Sequence, residues 1–162
     1  MKQAIFLDRD GVINRERKDY VKNIREFEIF NGVGEAIKLL KDSDYMIFVI
    51  TNQSAINRNL LSVDTLNQIH GYFQDYLKKY DTSVDGFYFC PHIPEDNCAC
   101  RKPKPGLLLS AMKDWDLDIK KCHMFGDSMK DALAAKEVGC KSTIIDQGQS
   151  LLDVVKKFLK TR

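Results

Sequence analysis

Ala4-Ile5-Phe6-Leu7-Asp8-Arg9-Asp10-Gly11-Val12-Ile13-Asn14 opens as an apolar run and breaks abruptly into two acids, with a glycine behind them. A buried parallel strand reads as a continuous apolar run, and open α/β sheets bind ligands beyond the carboxyl ends of their strands. Two carboxylates at such an end face a crevice. There they can hold a divalent cation through oxygen ligands, and one of them can attack an electrophile. An Asp-x-Asp pair is also compatible with a strand that runs into a solvated acidic turn, so the rest of the chain has to decide.

Apolar, helix-period and turn-rich stretches alternate along the whole sequence. Val33 to Lys41 has helical spacing, and Tyr45 to Ile50 reads as a second buried strand. Ser62 caps a long helix through Leu66, Ile69, Phe73 and Leu77. Phe87-Tyr88-Phe89 is a third strand, and Leu108 to Trp115 a helix. Cys122 to Phe125 is a fourth strand, followed by a helix from Met129 to Val138 that Gly139 ends. Thr143 to Ile145 is a fifth strand, and Leu151 to Leu159 a last amphipathic helix. The alternation predicts an α/β fold, a Rossmann-like parallel sheet with helices on both faces, as one domain over residues 1–162.

Composition narrows the function classes. Twenty-five Lys and Arg against 23 Asp and Glu leave +2, which gives no global pull toward nucleic acid or an anionic membrane. The longest aliphatic run, Met46 to Ile50, is too short to span a bilayer, and the N-terminus enters a strand without a signal-peptide pattern. A cytoplasmic monomer is expected, with a small molecule as its partner rather than nucleic acid or membrane. Three of the five cysteines fall between Cys90 and Cys100. Cys90, His92, Cys98 and Cys100 match a closed Cys₃His zinc site; a disulfide or free buried thiols are the other readings. Cys122 and Cys140 read as small buried hydrophobes, and neither His70 nor His123 is assigned a role.

Polar groups gather where the other strands end. Thr51 and Asn52 offer a hydroxyl and an amide to an anion, or else a cap or turn. Asp127 and Asp131, four residues apart, share one helix face, where Asp131 serves as a metal ligand, a supporting group or a solvent-facing residue. Arg101-Lys102-Pro103-Lys104-Pro105 can neutralise a phosphoryl group during transfer, or be an exposed basic turn.

Asp8-Arg9-Asp10-Gly11-Val12-Ile13-Asn14, Thr51-Asn52-Gln53-Ser54, Cys100-Arg101-Lys102-Pro103 and Gly126-Asp127-x-x-x-Asp131 resemble, in order and spacing, the four motifs of the haloacid dehalogenase superfamily. The resemblance covers nearly the full length and is most specific toward its small zinc-loop phosphatases. It implies that Asp8 is a nucleophile forming an aspartyl-phosphate and Asp10 the general acid and base. It further implies Mg²⁺ on Asp8, the Asp10 backbone carbonyl and Asp127, with Asp131 behind them. Thr51 and Lys102 would hold phosphoryl oxygens, and the zinc loop, about residues 90–100, would steady Arg101 and Lys102. The lack of a large cap domain between Asn14 and Thr51, or between Ser54 and Lys102, favours transfer to water.

Without a cap, substrate contacts are expected from three short segments, Asn14 to Tyr20, Ser54 to Arg58 and the zinc loop with Arg101, and from Asn52, Gln53 and Ser128. Val12-Ile13-Asn14, Tyr20-Val21 and Pro103 to Gly106 are similar to the branch acting on heptose 1,7-bisphosphate, with histidinol phosphate as the alternative substrate. The chain departs from that branch at Ala55 and Asn59, where glycine is usual, and at Ser128, where a cation is usual. A third expectation, of another class, is a catalytically silent, zinc-stabilised binding module.

Overall fold

The first strand, β1 (Ala4–Leu7), has every side chain buried, because the sheet is covered on both faces and the strand lies at its centre. A computed structural model describes residues 1–162. Five parallel strands, β1, β2 (Met46–Asn52), β3 (Gly86–Cys90), β4 (His123–Gly126) and β5 (Lys141–Ile144), run in the order β3-β2-β1-β4-β5. The order grows outward from β1 first on one side and then on the other. That reversal opens a crevice at the carboxyl end of β1, flanked by the ends of β2 and β4.

The period-2 alternation of β1 sorts its side chains between two cores. Ile5 and Leu7 pack with α1 (Val33–Asp42), α2 (Val63–Leu77) and α5 (Leu151–Lys160). Ala4 and Phe6 pack with α3 (Gly106–Trp115) and α4 (Met129–Glu137). A strand this apolar on both faces cannot accommodate a polar residue, so the acids begin where the covering helices end.

Strands β2 to β5 shift by one or two residues at their ends from the periodicity, and the shifts at β2 and β5 have a clear cause. β2 extends past Ile50 through Thr51 and Asn52, which pair with Phe89 and Cys90. This carries the polar pair to the strand tip. β5 starts at exposed Lys141, since an edge strand needs less apolar character. The segment after β1 contains a single 3-10 turn, Ile24–Glu26, and returns to β1's end through Phe30 N–H donating to Ile13 O and Arg15 N–H to Glu28 O. No inserted cap domain leaves the sheet, and no helix is long and apolar enough to cross a membrane.

Candidate active site

At the tip of β1, Asp8 Oδ1 accepts from its neighbour Arg9 N–H at 2.9 Å and from Lys102 Nζ at 2.8 Å. The same ammonium donates to Asp131 Oδ1 at 2.7 Å and to the Ile50 carbonyl at 2.8 Å. All three of its protons are therefore directed, and Lys102 is only 3% exposed. Its loop is held by Asn52, whose amide donates to Lys102 O at 3.1 Å and accepts from Lys102 N at 3.0 Å. The run Arg101 to Pro105 thus divides in function: Lys102 points inward beneath the crevice while Lys104 stays exposed.

Asp131 is buried rather than solvent-facing. Its second oxygen accepts from the N–H groups of Asp127 and Ser128 at the start of α4, at 3.1 and 3.3 Å. Asp127 itself stays half-buried, and the carboxylate oxygens of Asp8, Asp127 and Asp131 lie within 4.8 Å of one another. Two glycines make this crowding possible. A Cβ on Gly11, whose φ is +92°, would collide with the Asp127 carboxylate, and one on Gly126 with Asp131.

Burial pushes the Asp8 carboxyl well above its ordinary range; Lys102 opposes this, while Asp131 and Asp127 add to it. Burial likewise raises Asp127. For Lys102, burial favours the neutral amine, but Asp8 and Asp131 outweigh it and raise the ammonium's pKa. Three carboxylates face one ammonium, so the cluster carries excess negative charge that a divalent cation would balance. Hard oxygen donors of this kind suit Mg²⁺. Asp131 is already committed to Lys102 and to backbone N–H groups, which leaves Asp8 and Asp127 as the carboxylates free to take a cation.

Asp10 is set apart from that cluster. Its Oδ1 accepts from Arg9 at 2.9 Å and from Asn14 at 3.0 Å, and its Oδ2 from Gln53 at 2.9 Å. Burial opposes ionisation, yet Arg9 with the two amides holds the carboxyl below its usual range. Arg9 is 1% exposed, stacked on Phe27 at 5.4 Å and 3.3 Å from His70 Nε2. His70 packs flat on Phe87, and burial plus the Arg9 charge push its pKa down to about 3, so the ring is neutral. Sequence reasoning missed both Arg9 and His70. The only signal was a cation between two acids, which a solvated turn would carry equally well.

A cavity of about 340 Å³ opens above these groups. Of the residues expected to touch substrate, Tyr20, Asn52, Gln53, Ser54, Arg101 and Ser128 line it. Asn14 and Arg58 do not. Asn14 is fully buried and props Asp10, while Arg58 lies exposed beyond the turn that follows Ser54. Thr51 sits just behind the wall, its hydroxyl accepting from Gln53 at 2.9 Å. Glu16 and Lys18, from the expected segment Asn14 to Tyr20, also line the cavity, as does Lys130, which had no sequence signal.

Beside Lys102, Cys90, His92, Cys98 and Cys100 converge. Their Sγ and Nδ1 atoms lie within 4.8 Å of one another, with neighbouring pairs 3.0–3.6 Å apart. All five thiols are free, so no disulfide closes the loop. A tetrahedral ion with bonds of ~2.0–2.3 Å has ligand–ligand edges of roughly 3.3–3.8 Å, close to these distances. Burial disfavours the Cys98 thiolate, but N–H groups of Arg101 and Cys100 outweigh that and bring its pKa down to about 6. Arg101 turns back to donate to the His92 carbonyl at 3.2 Å, tying the cysteine loop to the cavity wall.

Residues 2–139 match the family model for haloacid dehalogenase-like hydrolases. The chain is 42% identical over 144 residues to the D-glycero-β-D-manno-heptose-1,7-bisphosphate 7-phosphatase of Helicobacter pylori, covering 88% of this chain and 82% of that protein. It is 39% identical to the enzyme of the same name from Haemophilus ducreyi, covering 89% and 82%. In structure it is similar to the D,D-heptose 1,7-bisphosphate phosphatase of B. bronchiseptica complexed with magnesium and phosphate. That match has a TM-score of 0.90 and 33% identity, and covers 100% of both chains.

Proposed function

The chain belongs to the haloacid dehalogenase-like hydrolases, and from that premise we propose that it is a Mg²⁺-dependent phosphatase removing the 7-phosphate of D-glycero-β-D-manno-heptose 1,7-bisphosphate. The observation that carries the reading is the grip of one buried ammonium, Lys102, on Asp8 beneath a polar cavity that also bears Asp10 and Asp127. The names and extents of the relatives support the substrate.

Asp8 and Asp127, with the Asp10 carbonyl, would hold Mg²⁺. When bound, the ion supplies charge neutralisation to the phosphoryl oxygens. Asp8 attacks phosphorus, the bond to the sugar oxygen breaks, and that oxygen takes a proton from Asp10. Water, deprotonated by Asp10, then attacks the aspartyl-phosphate; phosphate leaves and the Asp8 carboxylate is restored. Lys102 screens the repulsion between Asp8 and the incoming phosphate. The three donors on Asp10 favour its carboxylate, the form required in the second step. A phosphoryl dianion beside it raises its pKa and so supports the acid form in the first.

The cysteine loop would hold Zn²⁺ as a closed structural site. With four ligands and no open position, its part is to set Arg101 and Lys102 against the strand tips. Free thiols fit a reducing, cytoplasmic setting, and the reading takes the chain as a monomer.

Phosphate release by purified protein with Mg²⁺, from heptose 1,7-bisphosphate, other sugar phosphates, nucleotides and histidinol phosphate, tests the assignment. The expected outcome is fastest turnover of the heptose bisphosphate. Faster turnover of histidinol phosphate would overturn the substrate.

A further inference from the structure

The largest fully buried side chain in the protein is a cation, Arg9. One terminal nitrogen of its guanidinium donates to Asp10 Oδ1 at 2.9 Å, and the other lies 3.3 Å from His70 Nε2. Its Nε has no partner, so two contacts orient the whole fork. The rest of the wall is aromatic. Phe27 lies against the guanidinium at 5.4 Å, Phe73 meets Phe27 edge-on at 6.0 Å, and Phe87 stacks on His70 at 4.2 Å with the rings 9° from parallel. These phenyl rings pack against the fork and its partner but offer the N–H groups no lone pair. Only His70, on the buried face of α2, supplies one there.

An arginine can only donate. Nε2 of His70 must therefore carry the lone pair, which puts the ring's single proton on Nδ1 and leaves the ring uncharged. A protonated ring would set one cation against another. From this geometry we infer that His70 is a positioning residue for the reaction: its Nε2 aims the Arg9 fork, and through that fork sets the Asp10 carboxylate that gives and takes the proton. The inference rests on the phosphatase reading and deepens it. Asn14 and Gln53 also hold Asp10, but both are neutral amides, and Arg9 is the charged donor on it. A ring that merely filled the core could become phenylalanine at a cost in stability alone. A ring that aims Arg9 could not, because the guanidinium would keep one of its two contacts and turn about it.

The test compares His70→Phe, which keeps the stacking on Phe87 and loses the acceptor, with His70→Gln, whose amide oxygen can replace Nε2. With heptose 1,7-bisphosphate, kcat should fall about tenfold in His70→Phe and recover to within about threefold in His70→Gln, a part of the roughly 10²–10⁴ that acid–base catalysis supplies. KM and the Mg²⁺ requirement should stay within about twofold in both, since Asp8, Asp127 and Lys102 are untouched. p-Nitrophenyl phosphate has a leaving group that needs no proton. In rapid-quench measurements His70→Phe should release about one nitrophenolate per protein at close to the unmodified rate and then turn over slowly, because the aspartyl-phosphate still waits on Asp10 to activate water. A purely structural role would slow that burst together with a lower melting temperature. Nitrogen-15 spectra of histidine-labelled protein at neutral pH should show His70 protonated at Nδ1 and bare at Nε2. An unchanged kcat in His70→Phe, no recovery in His70→Gln, or a proton on Nε2 would overturn the inference while leaving the phosphatase reading intact. No phosphate release by the unmodified protein from any substrate would overturn the phosphatase reading and the catalytic role of His70 with it, and the spectra would then decide only its pairing with Arg9.

Discussion

Lys102 Nζ lies 2.7 Å from Asp131 Oδ1, with side-chain exposures of 4% and 1%. The pair explains why Asp131 shares a helix face with Asp127 without sharing its work: Asp131 holds the ammonium that Asp8 needs, and Asp127 remains free. Without Asp131 the ammonium keeps Asp8 and the Ile50 carbonyl but loses one acceptor, and the Asp127 and Ser128 N–H groups lose theirs, a cost of about 1–3 kcal/mol. Asp131→Ala should lower unfolding stability by that order in a denaturant titration, and should reduce phosphate release at least tenfold at saturating Mg²⁺. Unchanged stability would mean the pair is not satisfied as described.

Gly11 permits Asp127 to approach Asp8 because it has no Cβ and takes a φ of +92°. Gly11→Ala should displace the Asp127 carboxylate. The Mg²⁺ concentration giving half-maximal activity is expected to rise about tenfold, equivalent to ~1.4 kcal/mol, with circular dichroism unchanged. Equal Mg²⁺ response in the two proteins would contradict the crowding argument.

The neutral His70 gives a pH dependence of definite sign. Its folded pKa, about 3, lies below the ordinary 6.5. Between those values the unfolded chain binds a proton that the folded chain refuses. Stability from this group is complete above pH 6.5 and falls as the pH drops toward 3, by about 1.4 kcal/mol per pH unit. Comparing denaturant stability of the unmodified protein with His70→Gln from pH 7 to pH 4, the difference should shrink or reverse as pH falls. A constant difference would show that His70 titrates normally.

The cysteine loop makes a prediction about metal removal. Stripping zinc with a strong chelator and restoring only Mg²⁺ should lower the melting temperature and cut activity at least tenfold, because Lys102 loses its anchored loop. Adding back one equivalent of Zn²⁺ should recover both. Full activity in zinc-free protein would remove any link between the loop and Lys102.

Much of the fold was legible because β1, β2 and the helices carry clean periodicities, and because the acids fall where an apolar run must stop. The network around Asp10 was not. Arg9 looks solvated in the sequence, and only the arrival of Phe27 and of His70, 61 residues away, buries it. Asn14 was legible as a polar residue near the acids but not as their prop, since its orientation depends on the chain returning through Ile29 and Phe30. Asn52 reads as an anion contact, whereas its hydrogen bonds go to the Lys102 backbone 50 residues on. Lys130 carries no local pattern at all, because the cavity it lines exists only once β1 and β4 lie side by side.

If Asp8 is the group that substrate phosphorylates, phosphate release should collapse in Asp8→Asn. An amide at this position keeps the side chain's shape and removes the nucleophilic carboxylate. With heptose 1,7-bisphosphate and saturating Mg²⁺, the variant should bind substrate yet release phosphate at least about a thousandfold more slowly than the unmodified protein. Release at an undiminished rate would contradict the account.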